Sequence, residues 1–142
     1  MNKLNSVVLF QIDRTSKIAK QYSQKEFDNL KLGITVDQWV LLKIIEEQEP
    51  LSQKELAIKS TRDPASITRT LDILEKKGFS QRMPTPGNRR QYNVQLSKSG
   101  RFFVEKNMDT IVQLRNKSLE GFTDVECKLL IDFLLRIQDN MK

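Results

Sequence analysis

The chain has 142 residues, of which 38% are hydrophobic and 30% charged, and a formal charge of +6. This fits one compact domain, or a single fold with a small extension, with a lean core and a well-solvated surface. It contains no histidine and a single cysteine, Cys127. Imidazole chemistry, zinc sites of Cys and His ligands and a disulfide within one chain are thereby excluded, in agreement with a reducing compartment. No apolar run approaches the ~20 residues of a membrane span, and the amino-terminal MNKLNSVVLFQIDR lacks the layout of a secretory signal. A cytoplasmic protein without metal or cofactor is expected. The charge is uneven: residues 52–100 carry 10 basic and 4 acidic side chains, an excess equal to the whole net charge. Such focusing favours an anionic partner.

In chain order, the spacing of Val8, Phe10, Ile12, Ile18, Tyr22, Phe27 and Leu30 predicts one long helix from about Asn5 to Leu32, with a break before Leu30 and an end at Gly33. Thr35-Val-Asp-Gln38 is a capping box and opens a helix to about Glu47, which Pro50 stops. Ser52-Gln-Lys-Glu55 is a second capping box and opens a short helix to about Lys59. Asp63-Pro64 supplies an N-cap followed by proline at the first helical position. The helix it opens runs to Lys77, with Gly78 as its stop. On that helix Ile67, Leu71 and Leu74 form a narrow stripe, Ala65, Arg69, Asp72 and Lys76 the opposite face, and Ser66 and Thr68 flank the stripe. Phe79 to Met83 and the alternating Tyr92, Val94 and Leu96 predict two strands joined by a Pro84–Asn88 turn, with Asn88, Arg89 and Arg90 at the tip. Ser97 caps a helix to about Leu119. Thr123-Asp-Val-Glu126 caps the last one, whose apolar residues Val125, Leu129, Leu130, Phe133, Leu134 and Ile137 span roughly 180°. The apolar stripe of a helix on the outside of a monomer is about 100° wide, so a helix from a second chain is the simple partner.

The order predicts a mainly α chain. Its middle, residues 37–96, has the succession of a winged helix-turn-helix with a two-stranded β-hairpin wing. The expected division is residues 1–34 and 99–142 as a helical dimerization region and 35–98 as a DNA-binding lobe. In a helix-turn-helix the second helix enters the major groove. Ala65, Ser66, Thr68 and Arg69 would then face bases: arginine pairs with guanine, hydroxyls donate or accept, and small apolar groups touch the thymine methyl. Ser52, Lys54, Thr61 and Arg62 would meet the phosphate backbone, and Asn88, Arg89 and Arg90 would reach a narrow minor groove. Each feature alone is ordinary; a polar helix face is usually solvated, and an arginine pair in a turn is common. Their order is what argues for DNA. A winged helix that binds an acidic protein through the same basic face is the alternative. An enzyme is disfavoured, because the chain has no imidazole and no Gly-rich phosphate loop.

ITVDQWVLLKII, SITRTLDILEKKGFSQR and NRRQYNVQLSKSG together resemble the MarR family of bacterial transcription regulators, in its second-helix opening, its recognition helix with first wing strand, and its wing signature of Asp-x-Arg followed by Leu-Thr-x-x-Gly. The resemblance covers essentially the whole chain. It implies a homodimeric regulator, a repressor more often than an activator, which binds a pseudo-palindromic operator in double-stranded DNA and is released by a small phenolic or lipophilic ligand or by oxidation. By position, Arg90 is the family's wing arginine. Asn88 stands where the family has aspartate, which weakens the hold on that arginine. The implied ligand pocket has Phe10, Trp39 and Phe103 as aromatic candidates, each of which also reads as an ordinary core aromatic. Cys127 is expected to be a small packing residue.

Overall fold

The computed structural model describes residues 3–142, except the side chain of Arg89. The chain divides into two compact units, Met1–Met108 and Asp109–Lys142.

In the first unit, a 3-10 turn at Leu4–Ser6 precedes α1 (Val8–Asn29). The helix begins later than Asn5, since Asn5 lies inside the turn and its carbonyl accepts from the Gln11 side chain at 3.0 Å. It also ends earlier than Leu32. Lys31 takes a left-handed conformation, φ +54°, and Leu32 donates back to the Phe27 carbonyl at 3.2 Å, so a lysine occupies the closing position that glycine usually fills. The helices α2 (Val36–Gln48) and α3 (Gln53–Ser60) follow. Both carry reciprocal capping boxes, Thr35 with Gln38 and Ser52 with Glu55. In α4 (Pro64–Lys76) the Asp63 carboxylate accepts from the Ser66 amide at 2.8 Å. Gly78, φ +80°, closes α4, and the Phe79 amide donates to the Leu74 carbonyl at 2.9 Å.

The sheet has three strands where the sequence predicts two. β1 (Leu51–Ser52) pairs antiparallel with β3 (Asn88–Leu96), which also pairs with β2 (Ser80–Thr85). Leu51 lies opposite Val94 and Ser80 opposite Leu96. A two-residue strand shows no alternation, and β1 exists only because β3 is there to receive it. The turn is also tighter than expected: β2 runs to Thr85, leaving Pro86 and Gly87 between the strands, with Gly87 at φ +80°, as a Pro-Gly turn requires.

Leu41, Leu42 and Ile45 of α2, Leu56 of α3, Ile67, Leu71 and Leu74 of α4 and Val94 of β3 are fully buried. The narrow stripe read from α4 is thus its core face. Glu49 holds the far end of β3: its carboxylate accepts from the Leu96 amide at 2.8 Å and pairs with Arg101.

α5 (Lys98–Asn116) opens on Ser97, whose hydroxyl accepts from the Gly100 amide at 3.0 Å and donates to the Gly78 carbonyl at 2.5 Å. It stops before Leu119, because Lys117–Leu119 tighten into a 3-10 turn. In the second unit, Thr123 and Glu126 cap α6 (Asp124–Asn140) reciprocally. Every residue of α6 is exposed or half-buried, Cys127 included. No helix among the described residues is long and apolar enough to cross a membrane.

Candidate nucleic-acid interface

The helix-turn-helix is α3, a turn through Thr61–Asp63, and α4. Thr61 takes a left-handed conformation, φ +55°, which is costly for a β-branched residue. Its hydroxyl donates to the Ser60 carbonyl at 2.6 Å, and the Arg62 amide donates to the Ala57 carbonyl at 3.0 Å. The turn is thereby fixed at both ends. At the start of α4 Pro64 has no amide hydrogen and the Ser66 amide is taken by the Asp63 carboxylate, so the positive end of the helix dipole is already met by an anion of the chain itself.

An open groove of about 750 Å³ runs between this pair of helices and the wing. It gathers four of the residues singled out in the sequence, Ser52, Lys54, Thr68 and Arg90, with Gln53 and Arg82 beside them. A second hollow of about 560 Å³ brings Lys54 together with Thr61 and Arg62. Ala65 and Arg69 are exposed on α4.

Two expected DNA contacts are instead engaged with each other. Ser66 is buried at 9% exposure, and its hydroxyl accepts from Arg62 Nη2 at 2.7 Å. The same Arg62 nitrogen lies 3.7 Å from the Asp37 carboxylate, which Lys20 of α1 also grips at 2.8 Å. The Ser66 hydroxyl and Arg62 Nη2 are thus bonded to each other, and Arg62 Nη1 is buried without a hydrogen-bond partner among the described residues.

At the wing, the register jumps from Pro84 opposite Tyr92 to Thr85 opposite Asn88, leaving residues 89–91 outside regular pairing. A bulge of this kind bends the strand and increases its local twist. Asn88 Oδ1 accepts from the backbone N–H of Arg90 at 3.0 Å, so Asn88 fixes Arg90 through its main chain, and the guanidinium is left exposed. The side chain of Arg89 lies outside the described residues.

Sequence reasoning missed Arg82, which joins the wing to α4. Its Nη2 donates to Asp72 at 2.5 Å and Glu75 at 2.7 Å, and its amide donates to Glu75 at 2.8 Å. The Arg82 side-chain hydrogen bond holds the Glu75 carboxyl below the usual glutamate range, against the opposing effect of burial, and Glu75 in turn holds the guanidinium protonated. Asp72 and Glu75 at i and i+3 were the available signal, because that spacing puts both carboxylates on one helix face.

Two of the three aromatic pocket candidates, Trp39 and Phe103, pack against each other. Trp39 is a core residue at 4% exposure and meets Phe103 edge-on at 6.3 Å, while Phe103 stacks on Phe79 at 4.5 Å. Phe103 lines an open cleft of about 660 Å³, with Phe79, Phe102 and the lysines Lys31, Lys98 and Lys106. Phe10 lies elsewhere on α1, half-buried.

A family model described as "MarR family" matches residues 34–92, from the loop before α2 to the middle of β3. An uncharacterized HTH-type transcriptional regulator of Bacillus subtilis (strain 168), YdgJ, is 31% identical over 109 residues, covering 77% of this chain and 66% of its own length, just short of two thirds. The chain belongs to the MarR family. The solved structures agree on the fold of this MarR-family chain. A MarR-family transcriptional regulator from Rhodococcus sp. RHA1 superposes with a TM-score of 0.87 at 22% identity, covering 96% of each chain. CouR from Rhodococcus jostii RHA1, crystallised with p-coumaroyl-CoA, gives 0.84 at 21% identity, covering 96% of this chain and 95% of its own. The fold is the mainly helical winged helix-turn-helix that the sequence predicts, and YdgJ and the Rhodococcus sp. RHA1 protein are transcriptional regulators.

Proposed function

We propose that this MarR-family chain acts in the cytoplasm as a homodimeric repressor that reads a pseudo-palindromic operator in double-stranded DNA and is released by a small aromatic effector. The observation that carries the DNA reading is the shared groove of Lys54, Thr68 and Arg90, beside the exposed Arg69 of α4. Arg69 is the base-pairing cation, Lys54 with Ser52 and Thr61 the phosphate side, and Arg90 the minor-groove contact. Residues 35–98 are the reading lobe, and residues 1–34 and 99–142 hold two copies together. Support for a second copy comes from α6, where Val125, Leu129, Leu130, Ile131, Phe133 and Leu135 are all 45% exposed or more. Apolar area on that scale marks a surface that another chain covers.

The deciding experiment is selection of bound duplexes from a random DNA pool. The expected yield is a two-fold symmetric sequence whose half-sites lie about one helical turn apart. Arg69→Ala should cost about 1–3 kcal/mol in affinity for it and relax the preference at one position per half-site. Arg90→Ala should weaken binding more evenly across sequences. Full affinity retained by both variants at physiological salt contradicts the reading, and equal binding of scrambled DNA favours an acidic protein partner instead.

The dimer is checked by sedimentation, which should give twice the 16.6 kDa of one chain. Phe133→Asp, a charge placed on the exposed face of α6, should return the single mass. For the effector, the cleft that combines Phe79, Phe102 and Phe103 with three lysines suits an aromatic acid, and the relative CouR holds an aromatic acyl thioester. An aromatic carboxylate added to the same binding reaction is expected to release the duplex, and Phe103→Ala to blunt that release.

A further inference from the structure

A threonine hydroxyl has one proton to give and two lone pairs to offer. In Thr68 the proton is committed, because Oγ1 donates to the Pro64 carbonyl at 3.0 Å, one turn back along α4. One lone pair is committed as well: Gln53 Nε2, at the first residue of α3, donates to the same oxygen at 2.9 Å. Thr68 is nevertheless exposed, and it lines the groove with Gln53, Lys54 and Arg90. What is left to meet an occupant of that groove is the methyl group and one lone pair, which can only accept, from adenine N6 or cytosine N4.

The polar acceptors on the major-groove edges, guanine O6 and N7, adenine N7 and thymine O4, each call for a donor. The Thr68 hydroxyl supplies one only by giving up its bond to the helix backbone. The feature of the groove that matches a methyl is the C5-methyl of thymine. We propose that Thr68 selects thymine by methyl-to-methyl contact, and that Gln53 is a positioning residue that sets this choice by holding the hydroxyl turned away. The inference rests on the reading of the chain as a duplex-DNA reader and adds to it the base that is chosen and the residue on α3 that fixes the choice.

The test uses the full chain and its selected duplex, with each dT replaced in turn by dU, which removes only the methyl. For the wild type, one such replacement per half-site should weaken binding about fourfold, the worth of roughly one buried methyl. Thr68→Val keeps a methyl and loses the hydroxyl, and should keep the same sensitive position. Thr68→Ser keeps the hydroxyl and loses the methyl, and should bind dT and dU alike there. Gln53→Ala should pull the dT-to-dU ratio toward one with Thr68 itself unchanged; an unaltered ratio removes Gln53 from the role. The reverse pattern at residue 68, with Ser discriminating and Val indifferent, assigns the reading to the hydroxyl and overturns the proposal. So does a wild type indifferent to every dU in a duplex that it selects. A wild type that selects no duplex at all defeats the underlying DNA reading, and is told apart because the dU series then never begins.

Discussion

Gly100→Ala is expected to destabilise the chain by about 3 kcal/mol or more, at or above the upper end of what an added methylene costs in a packed site. Gly100 lies in the first turn of α5, and a Cβ built on it falls 2.0 Å from the Phe79 carbonyl oxygen and 2.9 Å from its carbon. Both are main-chain atoms, so no side chain can swing aside to make room. The Phe79 carbonyl also accepts from the Ser97 amide at 3.1 Å, and the Ser97 hydroxyl caps the turn that contains Gly100. Moving the helix outward would strain both bonds at once. In urea the midpoint should fall with little change in slope, and for a chain of this size the melting temperature should drop by about 10 °C. Ser99→Ala, at the exposed neighbouring position, should stay within about 0.5 kcal/mol of wild type. An equally small effect for Gly100→Ala would mean that α5 does not start against Phe79.

Gly100 also shows where sequence reading reaches and where it stops. Leu-Ser-Lys-Ser-Gly was legible as a motif, but the reason for its glycine is the carbonyl of a residue 21 positions earlier. Features that act within four residues were readable outright. The boxes Thr35/Gln38, Ser52/Glu55 and Thr123/Glu126 and the Asp63-Pro64 opening all formed as expected, because a cap and its target share one turn of helix. The burial of Ile67, Leu71 and Leu74 followed from helical period alone. Long-range partners were not readable. Neither helical angle nor local charge showed that Arg62 bonds to Ser66 and lies 3.7 Å from Asp37, in the first turn of α2. β1 needed β3 to exist. The bulge at residues 89–91 turns on a register jump that the alternation of Tyr92, Val94 and Leu96 does not encode.

Replacing Arg82 tests whether the wing works as part of the reading surface. Arg82→Met keeps the apolar stem of the side chain and removes its two guanidinium bonds to α4, leaving the amide bond to Glu75 in place. The Arg82 side chain is 20% exposed, but those of its partners Asp72 and Glu75 are 50% and 33% exposed. The loss is therefore discounted from that of a fully buried pair to about 1–3 kcal/mol at neutral pH. Its pH dependence has a definite sign. The Glu75 carboxyl titrates below its unfolded value because Arg82 bonds to the ionised form. Its contribution is therefore complete above the ordinary glutamate range and is lost as the pH falls through the lowered folded value. The stability gap between wild type and Arg82→Met should be widest near neutrality and close in acid, a trend that urea titrations at a series of pH values would show. A gap that is constant with pH would locate the effect in packing of the arginine stem rather than in the ion pair. The functional consequence follows from connectivity. Arg82 is the tie between β2 and α4, and Arg90 is carried on the strand paired with β2. If Arg90 contributes to DNA binding through a fixed position, Arg82→Met should forfeit most of that contribution with Arg90 still present. Arg82→Met and Arg90→Ala should then be far less than additive in duplex affinity. Additive losses would show that the wing tip finds its groove without the clamp.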